Sequence, residues 1–184
     1  MSASEEFPGR LTIRASAPTD VGAIAAIYAH HVRNGLASFE IVPPDDAEIA
    51  RRRDSTLARG LPYLVAELDR RIAGYAYAAP YRERPAYRYT LEDSVYIDPA
   101  AARQGIGRAL LDALVVSCAA LGYRQLIAVI GDSANAASIG LHEACGFART
   151  GLLPSVGFKV GRWVDSVLMQ RALGSGDTVA PDEG

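Results

Sequence analysis

Two glycines, Gly105 and Gly107, lie at the junction between a predicted strand and a predicted helix. The strand covers residues 93–97, and the helix carries apolar residues every three or four positions until a glycine stop at Gly122. The first N–H groups of a helix have no intrahelical partner and carry the positive end of the helix dipole, which favours anions. Because glycine has no Cβ, a phosphate group can approach the backbone closely. Residues 103–109 therefore predict a cradle for a phosphate ester or pyrophosphate.

The loop lacks the marks of two common phosphate-binding motifs. A P-loop requires Gly-Lys-Ser/Thr at the start of the helix, and the chain has no such triplet there. A dinucleotide fingerprint requires a third glycine and an acidic residue about twenty positions further on, and both are missing. A close-packed turn between strand and helix, without any ligand, is the alternative interpretation of this loop taken alone.

The elements that position this loop follow from hydrophobic periodicity, capping residues and turn residues. The sequence predicts helices at 18–33, 45–59, 106–121 and from 135 onward, and strands at 11–15, 63–68, 72–79, 93–97, 126–130, 147–153 and 162–170. Residues 154–161 are expected to connect the last two strands. Residues 81–89, rich in tyrosine and arginine, predict an ordered loop over a ligand or, alternatively, a solvated hairpin tip.

The length of 184 residues suits one domain with a hydrophobic core. We expect that domain at 11–173, a flexible N-terminus at 1–10 and a disordered tail, rich in glycine and acidic residues, at 174–184. The net charge of −2 comes from scattered charges of both signs, so the composition does not indicate nucleic-acid binding.

The cellular compartment is indicated by the lack of membrane-spanning and signal-peptide patterns and by the two cysteines. No apolar run approaches the roughly 20 residues that span a bilayer, and the first residues lack the layout of a signal peptide. Cys118 and Cys145 lie among apolar neighbours, which favours buried thiols over a disulfide. These features predict a cytoplasmic protein that does not contact membranes.

Two motifs in order carry a family resemblance. Residues 95–99 followed by 107–111 resemble the acyl-CoA loop of the GCN5-related N-acetyltransferase (GNAT) superfamily, Gln/Arg-x-x-Gly-x-Gly/Ala, with Ala102 at the first position. The second motif, residues 135–147, resembles the superfamily's Asn-x-x-(small)-x-x-Leu-Tyr-x-x-x-Gly-Phe segment, with His142 at the tyrosine. The resemblance implies an α/β (α+β) GNAT fold, with a mixed central sheet of about six or seven strands, helices on both faces and a splayed acyl-CoA cleft.

Several shorter stretches resemble one branch, the phosphinothricin and methionine sulfoximine (or sulfone) acetyltransferases, at residues 37–40, 80–87, 92–96, 141–143 and 157–165. The resemblance extends over residues 13–172. It implies a homodimeric enzyme that transfers acetyl from acetyl-CoA to the α-amino group of a small amino acid, without a metal. The alternatives are a protein N-terminus or a polyamine as acceptor, or a non-catalytic acyl-CoA-binding module.

Catalytic roles are expected for two side chains. An α-amino group has a pKa near 8 and must lose a proton before it attacks a thioester, so a carboxylate within reach would act as base. Glu92 begins the strand that leads to the cofactor, and it matches the branch's catalytic glutamate; Asp93 points to the other face if the strand is regular. His142 could protonate the departing thiolate, or it could be a polar helix residue without catalytic duty.

The resemblance also assigns ligand contacts. The strand end, the glycine loop and the second helix start are expected to bind the cofactor through Val95, Tyr96, Ile97, Arg103, Gln104, Gly105, Ile106, Gly107, Arg108, Ala109, Asn135 and Ser138. A backbone N–H of residues 95–97 is the implied oxyanion donor. Asn135 could equally serve as a helix cap.

The acceptor should be bound by side chains that suit an amino acid. Arg82 or Arg84 could hold its carboxylate by two hydrogen bonds, while Lys159, the only lysine of the chain, would act as a point charge. Aromatic and acidic residues are expected to surround the rest of the acceptor: Phe39, Glu40, Tyr81 and Tyr87. No cluster of histidine, cysteine and carboxylate residues has metal-ligand spacing.

Overall fold

The computed structural model describes residues 10–181. Helices α1–α4 are Val21–Asn34, Asp46–Ala58, Ile106–Ala120 and Ala136–Ala144. Strands β1–β7 are Leu11–Ala15, Tyr63–Leu68, Arg71–Pro80, Thr90–Ile97, Gln125–Gly131, Ala148–Lys159 and Arg162–Ala172. Short 3₁₀ turns occur at Pro18–Asp20, Pro85–Tyr87 and Pro99–Ala101.

The strands form one seven-stranded mixed sheet in the order β1-β2-β3-β4-β5-β7-β6. Strands β4 and β5 pair in parallel, and the other neighbours pair antiparallel. One apolar cluster packs α3 against the sheet through Ile106, Leu110 and Leu114, while another packs α1 and α2 through Ile24 and Ile49. Helices therefore cover both faces, and the predicted mixed fold is confirmed.

Strands β4 and β5 separate before they end. Their pairing begins at Thr90 opposite Gln125 and stops at Asp93 opposite Ala128, although β4 continues to Ile97 and β5 to Gly131. These ends stay paired with β3 and β7 but not with each other, and the gap between them is a wedge-shaped opening in the middle of the sheet. This wedge confirms the predicted splayed cleft.

The start of each helix at the wedge is fixed by its own sequence. Gly105 precedes α3 with φ of 77°, in the left-handed region that glycine adopts without strain. Asn135 precedes α4, and its side-chain oxygen accepts a hydrogen bond of 3.1 Å from the N–H of Ser138. Both helices therefore begin beside the open ends of β4 and β5.

The expected connector at 154–161 was wrong. Strand β6 continues to Lys159, and the chain reverses at Val160 and Gly161, both with positive φ. The strand absorbs a bulge near Ser155, whose N–H donates a hydrogen bond of 2.8 Å to Asp165 Oδ1. Because β6 is an edge strand, its proline removes no hydrogen bond from the interior of the sheet.

The two ends of the chain lie partly outside the described residues, which exclude 1–9 and 182–184. Residues 174–181 form turns in which Arg124 donates hydrogen bonds to the hydroxyl of Ser175 and the carbonyl of Gly176. Flexibility of 1–10 and disorder of 174–184 stay predictions. None of the helices within residues 10–181 is long and apolar enough to cross a bilayer.

Candidate active site

The wedge opens into a cavity of about 750 Å³ between β4, β5, α3 and α4. Ten of the twelve predicted cofactor-binding residues line this cavity: Val95, Tyr96, Ile97, Arg103, Gly105, Ile106, Gly107, Arg108, Asn135 and Ser138. Gln104 is exposed outside its wall, and the N–H of Ala109 donates to Gly105 O within the helix. The structure thus gathers the strand end, the glycine loop and the second helix start around one space.

The two glycines of the loop have different roles. A Cβ added at Gly105 would meet nothing within 4 Å, so its positive φ is what requires glycine. A Cβ at Gly107 would lie 3.1 Å from Leu141 Cδ2 and 3.7 Å from Ile97 Cγ1. Gly107 therefore allows α3 and α4 to approach, whereas the sequence suggested that both glycines make room only for phosphate.

Alternation along β4 separates its acidic residues, as the sequence predicted. Glu92, Ser94 and Tyr96 lie on the face covered by α1 and α2, with Tyr77 hydrogen-bonded to Ser94. Asp93 points to the opposite face and contacts α4. Burial and the charge of Asp93 raise the pKa of Glu92, and Arg82 partly offsets them. A raised carboxyl pKa brings Glu92 closer to the range in which a general base works at neutral pH.

Stacked tyrosines form the floor on the Glu92 side. The rings of Tyr63 and Tyr77 are 5.0 Å apart, and Tyr75 stacks on Tyr96 at 5.3 Å. Burial raises the pKa of each of these phenols, which keeps them neutral. Tyr77 was not among the predicted site residues, although tyrosines at alternate positions of β3 place Tyr75 and Tyr77 on one face.

The link between α1 and α2 closes this side of the site. Tyr28 hydrogen-bonds to Ser38 Oγ and Glu40 Oε1, each at 2.9 Å, and Arg52 Nη1 donates to the same Glu40 oxygen at 2.5 Å. Lys159 Nζ donates to the carbonyl of Ser38 at 2.6 Å. Both expected acceptor ligands, Glu40 and Lys159, are thus held within a network that fixes the link.

Lys159 is 5 % exposed at the end of β6. Burial lowers the pKa of its ammonium group, and the charge of Glu40 opposes that effect. The next expected ligand on the link, Phe39, packs over Gly157 of the same strand. The end of β6 and the α1–α2 link therefore form one packed unit.

The expected acceptor residues at 81–87 lie on an exposed loop. The guanidinium of Arg82 lies 5.0 Å from the ring centre of Tyr81, which meets Tyr87 edge to face at 5.7 Å. Arg82, Arg84 and Tyr87 line a cavity of about 360 Å³, and Lys159 is not among the residues around it. The structure therefore separates the arginine loop from Lys159.

His142 forms a buried pair with Asp93. His142 Nε2 lies 3.0 Å from Asp93 Oδ2, and the side chains are 5 % and 2 % exposed. The other ring nitrogen, Nδ1, lies 2.7 Å from the carbonyl oxygen of Ser138, and Phe147 packs edge to face at 5.0 Å. Burial alone would lower the pKa of His142, but the hydrogen bond and the charge of Asp93 raise it. Strand alternation predicted that Asp93 faces away from Glu92, but no sequence pattern predicted its pairing with His142.

A second histidine of the site, His31, makes a hydrogen bond that supports the structure. His31 Nε2 lies 2.8 Å from the carbonyl oxygen of Ile97 and fixes the end of β4 to α1. Burial lowers the pKa of His31. Residues 10–181 contain no group of three or more His, Cys, Asp or Glu side chains that could hold a metal ion.

Comparisons with known proteins agree with this geometry. A model of the acetyltransferase (GNAT) family matches residues 20–147. The chain is 60 % identical over 171 residues to a phosphinothricin N-acetyltransferase of Alcaligenes faecalis, covering 93 % of this chain and 87 % of that protein. It is 37 % identical over 172 residues to an L-methionine sulfoximine/L-methionine sulfone acetyltransferase of Salmonella typhimurium, covering 94 % and 99 %.

A solved structure matches the whole fold. The crystal structure of a GNAT superfamily phosphinothricin acetyltransferase from Sinorhizobium meliloti in complex with AcCoA superposes with a TM-score of 0.92. The two chains are 47 % identical, and the match covers 95 % of this chain and 94 % of that one.

Proposed function

The chain belongs to the acetyltransferase (GNAT) family and uses acetyl-CoA, and we propose that it acetylates the α-amino group of a small amino acid or analogue. Phosphinothricin, methionine sulfoximine and methionine sulfone are the proposed acceptors, since relatives that cover nearly the whole chain are named for them. One observation carries the proposal: Glu92 lies beside the parted strands, on an aromatic face, with the basic Arg82 close enough to influence it.

The wedge suits acetyl-CoA. The first N–H groups of α3 have no intrahelical partner and would bind the pyrophosphate, while the edge of residues 95–97 that no longer pairs with β5 would accompany the pantetheine. When bound, acetyl-CoA supplies a thioester whose carbonyl carbon accepts the amine. A backbone N–H of the same strand end would stabilise the negative charge on its oxygen.

Glu92 is the proposed base, acting on the ammonium group directly or through one water. Its raised pKa, caused by burial and by Asp93, fits a carboxylate that takes up a proton near neutral pH. Arg82 and Arg84 are proposed to bind the acceptor carboxylate, and the aromatic rings of Phe39, Tyr81 and Tyr87 to surround its side chain. Lys159 and Glu40 are proposed to contribute a second polar wall at the α1–α2 link, apart from the arginine loop.

A thiol-release assay tests the function. Purified protein with acetyl-CoA should release CoA with phosphinothricin, methionine sulfoximine or methionine sulfone, and should release little with spermidine or an N-terminal peptide. Glu92→Gln supplies the inactive control. If only spermidine or only the peptide were turned over, that compound class would be the acceptor and the proposed amino-acid acceptor would be wrong. Arginines at 82 and 84 argue against a polyamine, whose cationic groups require an acidic lining.

We propose that the chain forms a homodimer through the exposed end of the β6–β7 hairpin. Val156, Phe158, Val160 and Trp163 are 52 %, 58 %, 75 % and 63 % exposed, and Phe158 meets Trp163 edge to face at 5.3 Å. Such a concentration of exposed apolar side chains suits a protein interface, and a second copy is its proposed partner. Light scattering should show a dimer. Trp163→Glu should dissociate this dimer, while Val116→Glu, at an exposed position of α3, should leave it intact.

The cytoplasm is the proposed location. Cys118 and Cys145 are buried as free thiols, and burial raises the pKa of Cys118 to about 12 and of Cys145 to about 11. Neutral buried thiols without disulfides suit a reducing compartment. Fractionation with antibody detection would test this location.

A further inference from the structure

The carboxylate of Asp93 is unusual because only one of its oxygens has a partner. Oδ2 pairs with His142, while Oδ1 is buried and has no hydrogen-bond partner among the described residues. A buried carboxylate oxygen without a partner is costly, so such groups are retained at sites of function more often than elsewhere. The chain nevertheless places this group at the last paired position of β4, where the two strands part.

A small cavity of about 50 Å³ adjoins the pair. Asp93, His142 and Ser138 line it, together with the backbone segments of β4 and β5 beyond the last paired position. One water needs about 10–15 Å³ and at least two polar partners, so the cavity has room for water. It shares Val95, Tyr96, Gly131, Asn135 and Ser138 with the large cavity, and it therefore lies directly beside the wedge.

The hydrogen bonds of His142 fix the number of protons in the pair. The Ser138 carbonyl can only accept, so Nδ1 must carry a proton. Nε2 faces a carboxylate oxygen, so one further proton lies between the two side chains. Both ring nitrogens are thereby occupied, and His142 has no N–H free to point into the wedge.

We propose that Asp93 and His142 act together as the acid of the reaction, holding one proton and passing it through water in the small cavity to the sulfur of the departing CoA. Asp93 both holds His142 in its protonated form and relays its proton to the water. The inference rests on the proposed acetyl transfer. It replaces direct donation by His142, for which the ring has no free N–H.

The step balances. Glu92 first takes one proton from the ammonium group and releases it to solvent. The free amine then forms a bond to the acetyl carbon and gives a second proton to Glu92, and the carbon–sulfur bond breaks with its electron pair on sulfur. The shared proton crosses from His142 Nε2 to the carboxyl group of Asp93 and reaches the sulfur through water. His142 is left neutral with Nδ1–H still on Ser138 O. Glu92 returns its proton to solvent, and the pair takes one up.

The pH dependence of this step reflects few neighbours. The charge of Asp93 contributes to the raised pKa of Glu92 on the same strand and of Cys118 on α3, and the ring of Phe147 packs on His142. An acid must be protonated to work, so kcat should fall on the alkaline side as the pair loses its proton. Because Asp93 favours the protonated ring, this fall should lie above the ordinary histidine range.

Three variants test the pair: Asp93→Asn, His142→Gln and the double variant. Each single change should lower kcat about 10- to 100-fold with unchanged KM for acetyl-CoA, and should remove the alkaline fall of kcat. The double variant should be no slower than the slower single variant, because the two residues act as one unit. Asp54→Asn, an exposed α2 carboxylate, is the matched control.

Nitrogen NMR of the imidazole gives a second readout that needs no acceptor and no turnover. In the wild type, both ring nitrogens of His142 should be protonated at neutral pH. The His142→Gln variant identifies the signals of this ring. In Asp93→Asn the ring should lose one proton. A neutral ring in the wild type would overturn the inference. So would wild-type kcat and an unchanged alkaline fall in both single variants. If no acceptor is turned over, the proposed function fails, and NMR still decides the state of the pair.

Discussion

The ring of Phe39 lies directly over Gly157, so closely that a Cβ at position 157 would be 2.4 Å from Cε2 of the ring. The α1–α2 link and β6 are far apart in sequence, and this contact joins them at the wall of the proposed acceptor site. The position of Phe39 therefore depends on a residue with no side chain of its own.

Gly157→Ala should displace Phe39 and raise KM for the amino-acid acceptor several-fold, with little change in KM for acetyl-CoA. Steady-state kinetics with each substrate varied would measure the split. Gly151→Ala on the same strand is the matched control, because its Cβ would make an ordinary contact of 3.6 Å with Leu168. Equal kinetics in the two variants would contradict a role for Phe39 in acceptor binding.

Lys159→Met should have two separate effects. Loss of the hydrogen bond to Ser38 O should lower the free energy of unfolding by about 1–3 kcal/mol, the range for a charged donor. If Lys159 also reads the acceptor carboxylate, KM should rise far more for the amino acid than for its carboxamide, which has no negative charge. Denaturant unfolding measures the first effect and kinetics the second; equal KM changes for acid and amide would limit Lys159 to its structural contact.

Glu92→Gln should lower kcat at neutral pH by roughly 10²- to 10⁴-fold, since it keeps the size of the side chain and removes its basicity. Activity should partly recover at high pH, where the amine is already neutral. In the wild type, kcat/KM should fall on the acid side as Glu92 is protonated, and its raised pKa places this fall above the ordinary glutamate range. Glu143→Gln on exposed α4 should leave the pH profile unchanged.

Gly107→Glu should abolish CoA binding while the protein remains folded, because its carboxylate would face the pyrophosphate at the start of α3. Gly107→Ala should retain most of the affinity, since Leu141 needs to move by only a few tenths of an ångström. Calorimetry with CoA measures both variants. Gly140→Glu adds the same charge at an exposed position of α4 and should bind normally; full binding by Gly107→Glu would remove the loop from the cofactor site.

Asp20→Asn should make the protein less stable at neutral pH by about 1–3 kcal/mol. Arg14 binds both oxygens of Asp20 at 2.7 and 2.9 Å, and this contact lowers the pKa of the carboxyl group. Because the pKa of Asp20 is lower in the folded than in the unfolded protein, its charge stabilises the fold at pH values above the unfolded-state pKa. This stabilisation is lost as the pH falls through the folded-state pKa. Thermal unfolding from neutral to acidic pH should therefore be less pH-dependent in the variant than in the wild type.

Regular periodicity made most of the fold predictable from the sequence. The apolar run at 126–130 became β5, and the Gly105 loop became the start of α3, because local patterns determine such elements. The extent of β6 was not predictable, because Pro154 and Gly157 normally end strands. An edge position tolerates the proline, and Phe39 fills the space above the glycine.

The Asp93–His142 pair could not be predicted from the sequence for a different reason. Asp93 and His142 are 49 positions apart, and no spacing rule connects a strand residue with a residue of a later helix. Only the packing of α4 against β5 and β6, next to β4, brings them together. The position of Glu92 was predictable because it lies next to the strand end that the glycine loop implies, and its role as base stays a prediction.

The burial of Lys159 has a practical consequence. It is the only lysine of the chain, so a lysine-specific protease has one bond to cut, and in the native protein that residue is 5 % exposed. Cleavage then requires the end of the β6–β7 hairpin to open, locally or with the whole domain, and its rate reports that opening. The chain thus contains its own single-site probe of local unfolding beside the acceptor wall, readable as the appearance of two fragments.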